Sequence, residues 1–245
     1  MIPRLFCPQP LAAGLVLALP EGPAHHARDV LRLNSGDVVT LLNGLGGEYA
    51  ARLAEVNKKE VIAEVLGFSQ RDSEPPFPIT VVQSLATGDK MDWVVEKAVE
   101  LGACAIVPIA AARSVLKLDA ARAAKRLAHW QAIAQTACEQ CGRNRVPAIA
   151  PVASFDAWLD TTRGKSGLKL MLSPVHAQLF SALEKPAPGT QITLLIGPEA
   201  GLSDAEEQAA QAAGFQPILL GPRVMRTETA ALAALSAIHA RWGDF

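Results

Sequence analysis

The sequence predicts an α/β protein: a domain built on a mainly parallel sheet, preceded by a small β-rich, barrel-like module. Three observations carry this. From Ile79 onward, short apolar runs alternate with helix-like segments, the pattern of a parallel sheet with helical crossovers. Residues 1–70 read instead as several short strands with one small helical piece. Finally, Ile192 to Ile196 and Pro217 to Leu220 each run into Gly-Pro and then a helix-like segment that begins with polar residues. Ligands of open parallel sheets sit outside the carboxyl ends of the strands, so both Gly-Pro loops are expected to border one crevice.

In the first module, strands are predicted at Leu15–Leu19, Val38–Leu42, Tyr49–Val56 and Val61–Phe68, with a helical piece over Pro23–Leu33. The run NGLGGEY from Asn43 reads as a hairpin turn whose glycines supply positive φ. The polar residues of this module are Arg4, His25, His26, Arg28, Arg32, Lys58 and Lys59. Residues 70–78, QRDSEPPFP, have the composition of a linker, which divides the chain into 1–70, a linker at 71–78, and 79–245.

Beyond the linker the predicted order is strand Ile79–Leu85, helix Asp89–Leu101, strand Ala105–Ile109, a long helix from about Asp119 to Cys141, and a short helix from Ser154. A strand at Leu168–Leu172, a helical piece after Pro174 and the doubled strand–loop–helix unit complete it. Ser203 with Glu206 three residues on forms a capping box for the helix after GPEAGL, and Thr227 is the expected cap of the last helix, with Glu228 in its first turn. That last helix, TAALAALSAIHA, is apolar and small nearly all round, so burial or a subunit interface is expected for it.

A net charge of -1 argues against a protein that coats nucleic acid by bulk electrostatics and leaves a local basic patch open. Such a patch exists in the sequence. Between Arg113 and Arg145 there are seven Lys or Arg (Arg113, Lys117, Arg122, Lys125, Arg126, Arg143, Arg145) against Asp119 and Glu139, a local +5. Arg122, Lys125, Arg126 and His129 stack on one helix face, opposite Leu127, Trp130, Ala134 and Ala137. A basic face of this kind suits phosphate contacts, and Arg143 and Arg145, just past the helix, can present guanidinium forks. An ordinary solvated helix face is the competing reading.

Other chemistries fail on spacing. Cys138 and Cys141 form a CxxC with no second ligand pair, so no metal site is expected, and Cys7 and Cys104 add no disulfide framework. The apolar run Leu11–Leu19 is short and broken upstream by Pro8 and Pro10, and no run reaches the ~20 residues of a membrane span, so a cytoplasmic protein without membrane contact is expected. Gly164-Lys165-Ser166 resembles the end of a phosphate-binding loop, but Leu159 stands where the motif needs glycine. GxGxxG, GxSxG and HExxH arrangements do not occur in usable places.

IPRLF at Ile2, HHARDVLRLNSGDVV at His25, KMDWVVEKAVELGACAIVPIAAARSV at Lys90, HWQAIAQTACEQCGRNRVP at His129, IGPEAGLSDAEE at Ile196 and LGPRVMRTETAALAAL at Leu220 together resemble the RsmE family of ribosomal RNA methyltransferases in the SPOUT superfamily. The resemblance covers nearly the whole chain. It implies an N-terminal PUA-like β-barrel for RNA and a SPOUT-type C-terminal domain with a parallel sheet and a deep trefoil knot, working as a homodimer. The implied reaction is methylation, from S-adenosylmethionine and without a metal, of the ring imide nitrogen of a specific uridine in 16S ribosomal RNA, free or in the assembled small subunit.

By that likeness the cofactor lies against Leu172, Ser173 and Pro174, against Ile196, Gly197, Pro198, Glu199 and Gly201, and against Leu220, Gly221, Pro222, Met225 and Arg226, with Thr229 and Ala230 closing the pocket. The RNA-facing candidates are Arg4, His25, His26, Arg28, Arg32, Arg113, Arg122, Lys125, Arg126, Arg143 and Arg145. A uridine imide is a weak acid and a poor nucleophile until its proton is lost, so a base or a cation facing the uracil carbonyls would help. Arg226 is the candidate cation and Glu199 or Glu228 the candidate base; proton loss to water is the alternative. Ala200 stands where the family usually has Gly, which implies strain if that position needs positive φ. That departure also keeps open a non-catalytic RNA-binding assembly factor with the same fold.

Overall fold

The computed structural model describes residues 2–175 and 177–245. The chain forms two compact units: residues up to Glu74 with Gln135–Val146, and Pro75–Ala134 with Pro147–Phe245.

The first unit carries β1 (Arg4–Phe6), β2 (Val16–Ala18), α1 (Glu21–His25), which continues as a π-helical turn over His26–Val30, β3 (Val38–Leu42), β4 (Glu48–Val56) and β5 (Val61–Ser69). The strands lie in the order β1-β3-β4-β5-β2, with β1 parallel to β3 and the remaining pairs antiparallel. Leu5, Val39, Leu41, Leu53, Val61 and Val65 point inward and form one core with Ala27. The β3–β4 turn has Gly44, Gly46 and Gly47 at positive φ, as a tight hairpin requires. Arg32, at φ 55, is the one non-glycine in the left-handed region among the described residues, and it ends the helical stretch before Leu33. β1 was not foreseen from the sequence because three residues are too short for a periodic signal.

Gln135–Val146 completes this unit through polar contacts. Phe6 N–H donates to Glu139 at 2.6 Å, Arg4 donates to Glu48 at 2.8 Å and to Asn144 Oδ1 at 2.5 Å, and Arg145 Nε donates to Asp72 at 2.8 Å. Arg143 is only 3% exposed; its Nε donates to Glu74 Oε1 at 2.9 Å and its Nη2 to Glu74 Oε2. Arg143 is therefore corrected from phosphate contact to structural clamp, and Arg4, whose side chain is 11% exposed, is corrected with it. Burial also pushes the Cys138 thiol up to about 12, the wrong direction for a metal-binding or redox thiolate.

The second unit begins with β6 (Ile79–Ser84), α2 (Lys90–Glu100), β7 (Ala103–Ala110), α3 (Ala120–Cys141, shared at its end with the first unit), β8 (Ala148–Ile149), β9 (Ala153–Ser154) and α4 (Phe155–Asp160). It continues with β10 (Leu168–Leu172), β11 (Gln178–Leu179), β12 (Ile192–Ile196), α5 (Asp204–Ala212), β13 (Gln216–Leu219) and α6 (Thr227–Trp242). The sheet order is β11-β13-β10-β12-β6-β7-β8, with β9 also on β7, and every pair is parallel. Pro174 is not followed by a helix as expected: β11 pairs with β13 there, and only a 3-10 turn, Phe180–Ala182, follows. The sheet edge offers this stretch backbone partners that a helix would forgo.

Two helices show how the sequence buries itself. Met91, Val94, Val95, Ala98 and Val99 of α2 recur at helical spacing and are buried. So do Ala231, Ala234, Leu235, Ile238 and Trp242 of α6, which packs on α2 and β12. Glu206 closes the expected capping box with Ser203 and also accepts from Ala112 N–H at 2.7 Å, fixing the start of α5.

Replacing Arg143 by Ala leaves Glu74 without its buried counter-charge, and breaking such a pair costs about 3 kcal/mol. Urea unfolding of Arg143→Ala should show that loss; a difference below about 1 kcal/mol would make the clamp dispensable.

Candidate functional site

The register of the sheet sets the site. Ile218, Leu172, Ile196 and Gln83 are consecutive partners across β13, β10, β12 and β6. These four strands therefore end level, and the loops that leave them open at one carboxyl edge, the place where parallel sheets bind ligands. A cleft of about 740 Å³ lies there. Its walls are three loops: Leu172–Pro174, Ile196–Leu202 and Ile218–Thr227, with Ala230 behind and Lys90 from the start of α2 at its edge.

The loops are cross-tied by buried groups. Thr227 is 5% exposed; its hydroxyl donates to Gly197 O at 2.6 Å and accepts from Gln83 Nε2 at 2.8 Å. Thr227 was expected to cap α6, but it is the first helical residue; Arg226 is the capping position and makes no side-chain cap bond. The hydroxyl is instead spent joining the β12 loop, the end of β6 and the start of α6. The β10 loop is held by Ser173, whose N–H donates to Ile218 O at 3.2 Å and whose Oγ lies 3.1 Å from Glu207 Oε1.

In the β12 loop, Gly201 N–H donates to Pro198 O at 2.9 Å, closing a turn, and Gly201 takes φ +72. Ala200 lies outside the left-handed region. The strain expected at Ala200 is thus absent, because the neighbouring glycine supplies the unusual backbone angle. Arg113 braces the same loop from outside, donating to Leu202 O at 2.9 Å.

The charged edge of the cleft is a cluster that the sequence did not reveal. Glu199 Oε1 accepts from Lys90 Nζ at 2.8 Å, Thr87 Oγ1 at 3.0 Å and Thr87 N–H at 3.1 Å. Partial burial works against the charged carboxylate, but the hydrogen bonds from Lys90, from Thr87 and from its own backbone outweigh it and bring Glu199 down to about 2. A carboxylate held that low is a permanent anion and a poor proton acceptor, which corrects its expected role as base. Glu228 is corrected too: it does not line the cleft, its Oε2 is buried, and it stands 3.9 Å from Lys90 Nζ.

Of the residues expected at the cofactor, Leu172, Ser173, Pro174, Ile196, Gly197, Pro198, Glu199, Gly201, Leu220, Gly221, Pro222, Met225, Arg226 and Ala230 line the cleft. Thr229 does not; it is exposed on the other side of α6's first turn. Arg226 is exposed, and among the described residues its guanidinium has no ion pair, Glu228 included. Sequence reasoning missed Lys90, Thr87 and Gln83. Their position was the available signal, since Lys90 opens the helix that follows β6, an inner strand of the parallel sheet.

The remaining basic candidates divide. In the first unit Arg28 is paired with Asp29 at 2.6 Å and His25 with Asp29 at 2.7 Å, while Arg32 is exposed; His26 lies 3.7 Å from Glu139. In the second unit Asp92 sits beneath the helix face, 2.8 Å from His129 and 3.8 Å from Arg126. Arg122 and Lys125 remain exposed. No cluster of three or more potential metal ligands, and no helix long and apolar enough to cross a membrane, occurs among the described residues.

Residues 73–239 match the RNA methyltransferase domain family, and residues 19–66 match the RNA methyltransferase PUA domain family. The ribosomal RNA small subunit methyltransferase E of Bacillus subtilis is 36% identical over 219 residues, covering 87% of this chain and 86% of that protein. A methyltransferase from Legionella pneumophila, solved with the bound cofactor SAM, superposes with a TM-score of 0.94 at 35% identity, all of both chains being covered. The ribosomal RNA small subunit methyltransferase E of Neisseria gonorrhoeae, bound to S-adenosyl methionine, gives 0.91 at 39% identity, again over both whole chains.

Two outcomes check the site's internal physics. Because Glu199 falls from 4.5 to about 2 on folding, its contribution is present above the unfolded value and is lost as pH drops through that window. The stability difference between wild type and Glu199→Gln, from urea melts, should therefore shrink from pH 4.5 toward 2; a constant difference refutes the assignment. Ala200→Gly should lower stability by about 0.5 kcal/mol through the looser unfolded chain, whereas a gain in stability would mean that Ala200 is strained after all.

Proposed function

The chain belongs to the ribosomal RNA small subunit methyltransferase E family, the RsmE family of RNA methyltransferases, and from that premise we propose that its cleft binds S-adenosylmethionine and methylates a uridine imide nitrogen in 16S ribosomal RNA. The observation that carries the proposal is the convergence of the three loops that follow β10, β12 and β13 on one cleft.

The residues present suit that cofactor. Leu172, Ile196, Leu220, Met225 and Ala230 give an apolar floor for a flat heterocycle, and Gly197, Gly201 and Gly221 let backbone groups approach it. Glu199 and Glu207 bring negative charge to a ligand that carries an ammonium and a sulfonium. The bound cofactor supplies an electrophilic methyl group whose leaving group is a neutral thioether. The protein's contribution is to hold donor and acceptor in line and to exclude misaligned encounters. Arg226, exposed on the cleft and without an ion pair among the described residues, offers its guanidinium to the RNA.

RNA would be gathered by Arg32 in the first unit and by Arg122 and Lys125 in the second, where the side chains are exposed. A homodimer accords with α6, whose Leu232, Ala233 and Ala237 are only half-buried although the helix is apolar nearly all round. A trefoil knot accords with the path from β13, which lies beyond β10, back to α6 on β12 and α2. A cytoplasmic location follows from the substrate. The alternative of a non-catalytic assembly factor drew its support from Ala200, and the relaxed backbone there withdraws it.

Calorimetry should show S-adenosylmethionine binding, and small ribosomal subunits from a strain lacking this methylation should accept a labelled methyl group at one uridine. Failure of both measurements would defeat the proposal. Comparing naked 16S rRNA with assembled subunits in the same assay identifies the true substrate.

A further inference from the structure

The cleft poses a chemical problem that its carboxylates do not solve. A uridine imide must lose its proton before it attacks, yet Glu199 is pinned as an anion by three donors to Oε1 and Glu228 Oε2 is buried outside the cleft wall. Lys90 is the group left over. It lines the cleft, its side chain is 28% exposed, and it is held by Glu199 at 2.8 Å with Glu228 Oε2 at 3.9 Å. An ammonium has three N–H donors. Glu199 takes one, and 3.9 Å is too long for Glu228 to take a second as a hydrogen bond.

We propose that Lys90 is a catalytic residue that donates to a uracil carbonyl beside the target nitrogen and stabilises the imidate, so that the proton is lost to water and no protein base is needed. This rests on the reading of the cleft as a uridine methylation site. The imide proton leaves to water, the nitrogen's electron pair forms the bond to the methyl carbon, and the carbon–sulfur pair departs with sulfur.

The geometry favours Lys90 over Arg226 for this work. Charge stabilisation is most effective when the donor is already fixed and needs no reorganisation as charge develops. Lys90 is fixed by Glu199, itself fixed by Thr87, whereas Arg226 has no ion pair among the described residues and is exposed. The two carboxylates around Lys90 do not cancel its effect, because Coulomb energy falls with distance and a donor in direct contact lies nearer the uracil oxygen than the acids behind it. The other charged groups on the cleft are Glu207 from α5 and Arg223 and Arg226 from the β13 loop.

The test uses the full-length protein and small subunits reconstituted with 16S rRNA that carries either uridine or 5-fluorouridine, whose imide is more acidic. Lys90→Met should bind S-adenosylmethionine within about threefold of wild type while kcat on the uridine substrate at neutral pH falls by about 10²-fold. The 5-fluorouridine substrate should restore most of that loss. Binding supplies a readout independent of turnover: with S-adenosylhomocysteine present, wild type should bind the 5-fluorouridine RNA more tightly as pH rises through its imide ionisation, and Lys90→Met should not.

A loss that the acidic substrate fails to restore, or equal pH dependence of binding in both proteins, overturns the role of Lys90 while leaving methyl transfer by wild type intact. No transfer by wild type to either substrate sinks the functional reading instead. Should Lys90→Met melt well below wild type, Glu199→Gln loosens the ammonium without removing it. It should then show a smaller fall, restored by the same substrate; no such restoration also overturns the proposal.

Discussion

One hydroxyl group holds the site in register. Thr227 is at once a donor to Gly197 O and an acceptor from Gln83, so the β12 loop, the end of β6 and the first turn of α6 meet at a single buried oxygen. It both donates and accepts, and the Gln83 amide that it pairs is fully buried, where an unpaired amide costs ~1–3 kcal/mol. The level ends of β13, β10, β12 and β6 bring the loops to one edge. Thr227 then fixes how two of those segments stand to each other, and Ser173 does the same for the third.

Charge in the cleft is arranged by proximity rather than by count. Glu199, Lys90 and Glu228 lie within 4 Å of one another in a chain, and the outcome is one immobile carboxylate, one anchored ammonium and one carboxylate behind it. A residue's type therefore gave little guidance to its role. Glu199 is a candidate base by its place in the loop, but its partners come from a segment more than a hundred residues earlier in the chain.

The basic stretch from Arg113 to Arg145 shows the same limit from another side. Its excess of cations suggested one phosphate-facing surface. Folding sends its members to separate tasks: Arg143 into a buried clamp with Glu74, Arg145 to Asp72, Arg113 to the carbonyl of Leu202, and Arg126 toward Asp92. Lys117, Arg122 and Lys125 stay exposed, and of these Arg122 stands 3.4 Å from Asp119. A local count of charges sees neither the acids nor the carbonyls that arrive from elsewhere in the chain.

The sequence by itself determined the α/β class, the helices and every strand longer than three residues, the capping box at Ser203 and Glu206, and the two Gly-Pro loops of the cleft. Each of these is written in local periodicity, capping chemistry or the Gly-Pro breaks that follow strands, and the motif resemblance added the loop Leu172–Pro174 and the chemistry. Tertiary structure alone decided that Thr227 is a tie and no cap, that Gly201 and not Ala200 takes the left-handed angle, that Glu228 stands behind the wall, and that Lys90 is the cation anchored at the cleft. The reason is physical: hydrogen bonds and ion pairs act over 3–4 Å in space, and the partners that settle these roles are separated along the chain by distances that no local pattern records.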